Sequence, residues 1–271
     1  MQCPRSLRLW LAIFFFPLTG FAGETAPWQL VWSDEFSGTN LDYSKWSVEE
    51  NANGGGNNEQ QFYLERPENV RVENGNLVLE ARKEHFGSAG VERDYTSGRI
   101  RTKYRADWKY GRVEVRAKLP AGRGLWPAIW MLPTENKYGG WAASGEIDIM
   151  ELLGQEPNTV YGTLHYGGIW PKNTHTGKSF VLPHGTFADD FHVFAIEWEA
   201  GVIRWYVDGT LYQTQTQWHS DGGTFPAPFD QPFHLILNVA VGGQWPGPPD
   251  DKTIFPQRML VDYVRIYQRK P

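Results

Sequence analysis

From residue 28 onward, apolar residues alternate with polar ones or gather in short runs, and turn-forming residues close each stretch before a helical stripe can develop. This pattern predicts strands. Residues 112–119 show it most clearly, with Val113, Val115 and Ala117 alternating against Glu114, Arg116 and Lys118, so that one face is apolar and the other polar. A strand at 100–105 leads into them through 108–111. Residues 69–73 and 76–81 flank Asn74-Gly75, a dipeptide suited to the type I′ turn of a hairpin. Residues 191–199 turn at Ala200-Gly201 into 202–207, and Asp208-Gly209 turns again into 210–216. Residues 233–241 and 259–269 complete the set. The expected fold is all-β, a two-sheet antiparallel β-sandwich or jelly roll. Two polar stretches, 49–61 with Gly54-Gly55-Gly56 and 167–185, read as loops, the first long enough to border a binding site. No repeat or linker divides 24–271, which reads as one domain.

One strand-like run breaks the pattern. Residues 145–151 read Gly-Glu-Ile-Asp-Ile-Met-Glu, placing Glu146, Asp148 and Glu151 among residues suited to a buried strand. In regular alternation Glu146 and Asp148 share a face while Glu151 points the other way. A β-bulge at Ile149 or Met150 resets the alternation and brings all three acids to one side. The two glutamates then sit as if four positions apart, roughly 13 Å at Cα, and inward-leaning side chains bring their carboxyls to about 5 Å, the separation of a retaining glycosidase. A helix would set the glutamates roughly 140° apart with no common polar face. Acids are depleted from strands, so three within six positions require a reason.

Composition narrows the chemistry. Residues 1–23, with Arg5, Arg8, an apolar core and small residues near Gly23, read as an export signal, and the protein is expected to be secreted or periplasmic. The core is too short for a good membrane span, and no later segment approaches ~20 apolar residues. The single cysteine, Cys3, lies in that signal, which excludes a disulfide, thiol nucleophile or thiolate metal site in the remainder. Removing Arg5 and Arg8 takes the formal charge from −5 to −7, which argues against nucleic acid or a polyanion as partner. Twelve of the 13 tryptophans follow the signal, more than a core needs, and flat rings with a polar edge stack well on sugars.

Together these stretches resemble glycoside hydrolase family 16 over nearly the whole mature chain, from Trp32-Ser33-Asp34-Glu35-Phe36 to Val261-Asp262-Tyr263-Val264-Arg265. The most specific matches are residues 96–99, 111–120, Gly124-Leu125-Trp126-Pro127-Ala128-Ile129-Trp130-Met131, 145–152 and Gly162-Thr163-Leu164-His165-Tyr166. The resemblance implies a jelly roll whose concave sheet forms a glycan cleft, and retaining endo-hydrolysis of β-linked polysaccharide. The family separates members with the extra residue in the acid motif, as here, from lichenase-type and xyloglucan-active members lacking it, and within the bulged group the chain looks most like the bacterial laminarinases, which cut β-1,3-glucan and often mixed β-1,3-1,4-glucan.

By that resemblance Glu146 is the nucleophile, Glu151 the general acid/base and Asp148 the residue that orients Glu146. Trp126 and Trp130 are expected as stacking surfaces before the scissile bond. His165, Arg99, Asn51, Asn238, Gln244 and Trp245 are candidate cleft contacts. No cofactor is expected for catalysis. A structural calcium ion would use main-chain oxygens at Glu35 and Gly75 with the Asp262 carboxylate, oxygen donors that suit a hard cation. The partner is polysaccharide, with no membrane association after signal removal and a monomeric chain. Rival readings are an agarase or carrageenase on the same scaffold, a transglycosylase, and a glucan-recognition protein that binds without cutting.

Overall fold

The computed structural model describes residues 27–270. The expected export signal and Cys3 lie outside the described residues.

The alternation in residues 112–119 becomes the strand Gly111–Lys118, whose residues are buried and half-buried by turns. Its apolar face meets the inner face of a second sheet. The first sheet runs in the order Thr210–Gln215, Val202–Val207, His192–Glu199, Gly111–Lys118, Gln257–Arg269, Asn76–Ser88, Val91–Ser97 and Gln61–Tyr63. Trp28–Asp34 also pairs with Gln257–Arg269, and Val70–Glu73 with Asn76–Ser88. The second sheet runs Asn173–Val181, Thr159–Gly167, Glu146–Leu152, Leu125–Pro133, Phe233–Val241, Arg99–Arg101 and Ser47–Val48. Pairing is antiparallel except between Gln61–Tyr63 and Val91–Ser97, which run parallel. The only helical piece among the described residues is the 3₁₀ turn Gly54–Gly56. It lies within the polar stretch expected to border a site.

Val113, Val115, Phe194, Ile196, Trp198, Trp205 and Val264 from the first sheet share one core with Ile129, Met131, Ile147, Leu164, Leu235, Leu237 and Val239 from the second. Phe233–Val241 is buried along its whole length because strands cover both its edges and a sheet covers its inner face. Asn74 and Gly75 both adopt positive φ, 53° and 75°, as a type I′ turn requires.

Two expectations need correction. The strand expected at 100–105 ends at Arg101 and belongs to the second sheet, not beside Gly111–Lys118. Arg105 and Ala106 donate their N–H groups to the Thr102 carbonyl, and that turn ends the strand and carries the chain across to the other sheet. Residues 167–185 are not wholly a loop, since Asn173–Val181 forms the edge strand beside Thr159–Gly167. Its side chains are almost all exposed, so no apolar alternation announces it.

Candidate active site

The acid motif forms the strand Glu146–Leu152, flanked by Thr159–Gly167 and Leu125–Pro133. Against the first neighbour, Asp148 pairs with Thr163 and Glu151 with Tyr161, so three steps on one strand match two on the other. Against the second, Asp148 pairs with Trp130 and Met150 with Ile129, which sets the extra residue at Ile149. A bulge releases main-chain groups from the ladder, and the Asp148 carbonyl finds its partner in Trp205 Nε1 from the opposite sheet, 2.8 Å away. Gly162 admits that ring, because a Cβ at residue 162 would stand 2.5 Å from Trp205 Cδ1. Ile147, Ile149, Met150 and Leu152 are buried in the core, while Glu146 and Glu151 keep some exposure.

His165 is the register partner of Glu146 and lies over the acid pair, with Nε2 3.7 Å from Glu146 Oε1 and 3.2 Å from Asp148 Oδ2. The shorter contact is close but not aligned as a hydrogen bond, which leaves Asp148 Oδ2 without a donor in a residue only 2% exposed. Burial and the Asp148 charge push the Glu146 carboxyl up to about 8, against the opposing pull of His165, Trp141 and Arg99. Burial likewise raises Asp148, and the neighbouring Glu146 carboxyl works the other way. Glu151 is raised well above the usual carboxylate range, by burial first and then by the charges of Asp148 and Glu146. Among three such carboxyls, each ionisation raises the cost of the next.

Each glutamate also receives an indole N–H. Trp126 Nε1 donates to Glu151 Oε1 at 3.0 Å, and Trp141 Nε1 donates to Glu146 Oε2 at 2.6 Å. Trp126 and Trp130 are four positions apart on Leu125–Pro133 and therefore face the same way. Trp130 Nε1 donates to Asn238 Oδ1 at 2.7 Å, and Asn238 Nδ2 donates to the Tyr63 hydroxyl at 3.1 Å. Both ends of the Asn238 amide thus hold neighbouring aromatic residues. Arg99 lies over the Trp130 ring at 4.9 Å and pairs with Glu49 at 3.0 Å. Trp245, 41% exposed, meets Trp126 edge-on at 5.4 Å and Tyr161 at 5.1 Å, extending the aromatic strip. Asn51 donates to Glu49 at 3.3 Å. Gln244, exposed, is tied to Asn57 through its main chain.

The positions matched to calcium give a different picture. Asp262 Oδ2 accepts from Arg116 at 2.7 Å, and the Glu35 carboxylate is held by Arg265 at 3.0 and 2.8 Å. The Asp262 carboxylate, one of the three expected oxygen donors, is thus shared with a guanidinium, whereas the expected donors at Glu35 and Gly75 are main-chain oxygens, on which the Glu35–Arg265 side-chain pair does not bear.

Sequence reasoning missed Trp141, Tyr63, Tyr161 and Glu49. Trp141 had a usable signal, a large ring among Gly139, Gly140, Ala142 and Ala143 immediately before the acid strand.

A β-sandwich that sets two glutamates, an aspartate and a strip of indole rings on the outer face of one sheet has the equipment of a carboxylate-dependent polysaccharide hydrolase. Comparison with known proteins agrees: the profile of glycosyl hydrolases family 16 matches residues 57–265, and the chain belongs to that family. It is 47% identical over 254 residues to the beta-glucanase of Rhodothermus marinus, covering 89% of this chain and 85% of that protein. It is 46% identical over 262 residues to glucan endo-1,3-beta-glucosidase A1 of Niallia circulans, covering 89% of this chain but only 38% of that longer protein. The solved catalytic domain of an endo-1,3-beta-glucanase (laminarinase) from Thermotoga petrophila superposes with a TM-score of 0.81 at 45% identity, covering 91% of this chain and all of that one.

Proposed function

We propose that this protein is a secreted or periplasmic, monomeric endo-glycosidase that hydrolyses β-1,3-glucan with retention of configuration, and that it also accepts mixed β-1,3-1,4-glucan. The observation that carries the reading is the bulged strand, which turns Glu146 and Glu151 toward one face and gives each an indole N–H partner. Glu146, ionised, attacks the anomeric carbon while Glu151 gives its proton to the departing glycosidic oxygen. Glu151 then takes a proton from water, which attacks the same carbon and frees Glu146. The electrostatics support this division through a difference of degree: both carboxyls are raised by burial, but Glu151 also bears the charges of both Asp148 and Glu146, whereas Glu146 bears that of Asp148 and is drawn back toward its charged form by His165, Trp141 and Arg99. Asp148, whose electrostatic interaction with Glu146 tunes both carboxyls, orients it. Trp126 and Trp130 supply the platform before the scissile bond, with Trp245 beside them.

The names of the relatives support glucan as substrate. Calcium forms no part of the proposal, and the route described needs no metal. No helix among the described residues is long and apolar enough to cross a membrane.

The test is reducing-sugar release from laminarin, curdlan, barley mixed-linkage glucan, agarose, κ-carrageenan and xyloglucan. Release from laminarin, with mixed-linkage glucan equal or weaker, is expected. Release from agarose or carrageenan alone would overturn the substrate and leave the site. Binding of laminarin without release from any substrate would make the chain a recognition protein.

A further inference from the structure

Trp141 belongs to none of the motifs that mark the site, yet it touches Glu146 directly. It stands on the loop between Leu125–Pro133 and Glu146–Leu152, 42% exposed, with its ring tilted over His165 at 5.7 Å. The loop beneath it is fixed. Ser144 Oγ accepts from the Tyr138 N–H at 3.0 Å and donates to the Gly139 carbonyl at 2.6 Å, while Gln231 Nε2 donates to the Ser144 carbonyl at 3.0 Å. The main-chain N–H of Trp170 donates to the Trp141 carbonyl at 3.2 Å. Ala142 and Ala143, next in the chain, are buried. The main chain that carries the indole is thus held in place, and the N–H to Glu146 ties the carboxylate to that held loop.

An indole N–H donates only, so its bond to Glu146 is strongest when that carboxyl carries the charge. Oε2 has two lone pairs, and Trp141 engages one, leaving the other for an incoming carbon. We propose that Trp141 is a positioning residue for the nucleophile: its N–H fixes the plane of the Glu146 carboxylate and holds it in the attacking form. This rests on the reading of Glu146 as nucleophile. The charged and titratable groups facing Glu146 are Asp148 and Glu151 from its own strand, His165 from Thr159–Gly167, and Arg99 from Arg99–Arg101. Trp141 adds a neutral donor that does not titrate.

Trp141→Phe keeps an aromatic ring and removes the N–H. Because the residue is well exposed, the variant should melt within a few degrees of wild type. On laminarin, kcat should fall about tenfold to a hundredfold, the size expected for losing a hydrogen bond to a charged group, with KM within about twofold. The acid limb of kcat/KM against pH should move to higher pH, because the ionised nucleophile has lost a donor. Wild-type kcat with an unmoved acid limb would overturn the proposal, as would equal damage to kcat and KM with that limb unmoved. A substrate-free arm follows the Glu146 carboxyl by ¹³C NMR titration of the free protein. A higher midpoint in Trp141→Phe supports the positioning role, and an unchanged one overturns it. That arm is independent of substrate, so wild-type inactivity on laminarin would defeat the functional reading and leave the Trp141 contact to be judged by titration.

Discussion

At the scale of residues, Glu146 and Glu151 are proposed as separate halves of a double displacement. Glu146→Gln and Glu151→Gln should each lower laminarin turnover by about a thousandfold or more, while calorimetry shows oligosaccharide binding largely retained. Near-normal turnover in either variant would remove that glutamate from the chemistry. Two substitutions separate the two duties proposed for Trp126. Trp126→Ala removes ring and donor and should weaken oligosaccharide binding by about 1 kcal/mol or more. Trp126→Phe keeps a smaller aromatic ring and removes the N–H to Glu151, and should lower kcat more than it raises KM. The acids were legible in the sequence because three carboxylates in a strand-like run have no structural use. The duties of Asn238 and Arg99 were not, because what each holds, Trp130 and Tyr63 in one case and Glu49 in the other, comes from distant parts of the chain. Residue types alone do not say whether an amide faces a sugar or a neighbouring ring.

At the scale of elements, the bulge aims the site, and parity along the strand was enough to infer it at Ile149 or Met150. What supports the bulge was hidden, because Trp205 lies in the other sheet and 57 positions away. Trp205→Phe should leave the Asp148 carbonyl without a partner and destabilise the protein by about 1–3 kcal/mol, read by chemical denaturation. Activity should fall further than stability alone explains, since the freed strand no longer fixes Glu151. Unchanged stability and activity would mean that the carbonyl is satisfied elsewhere. Hairpins were legible where turn chemistry is local, as at Asn74-Gly75 and Asp208-Gly209. Asn173–Val181 was hidden because an exposed edge strand carries no apolar alternation, and the strand at 100–105 was overextended because the Thr102 turn depends on main-chain geometry rather than on glycine or proline.

At the scale of the whole molecule, the site opposes the fold that carries it. Burial raises the Glu146 and Asp148 carboxyls to about 8. The unfolded chain releases these protons in the ordinary carboxylate range, while the folded chain keeps them longer. Between about pH 4.5 and 8 the folded state therefore binds more protons, and stability falls as pH rises. Melting temperature should decline across that window, and Glu146→Gln should flatten the decline. An identical slope in the variant would show that the burden lies elsewhere. The sandwich accommodates this cost by joining both sheets through one continuous core beneath the acid strand. The central claim, that Glu146 forms a covalent intermediate on a β-glucan, is tested most directly by ¹H NMR of the first reducing ends released from laminarin. They should appear as the β-anomer and only later mutarotate. An initial α-anomer would contradict it, because a single displacement by water would then have replaced the attack by Glu146.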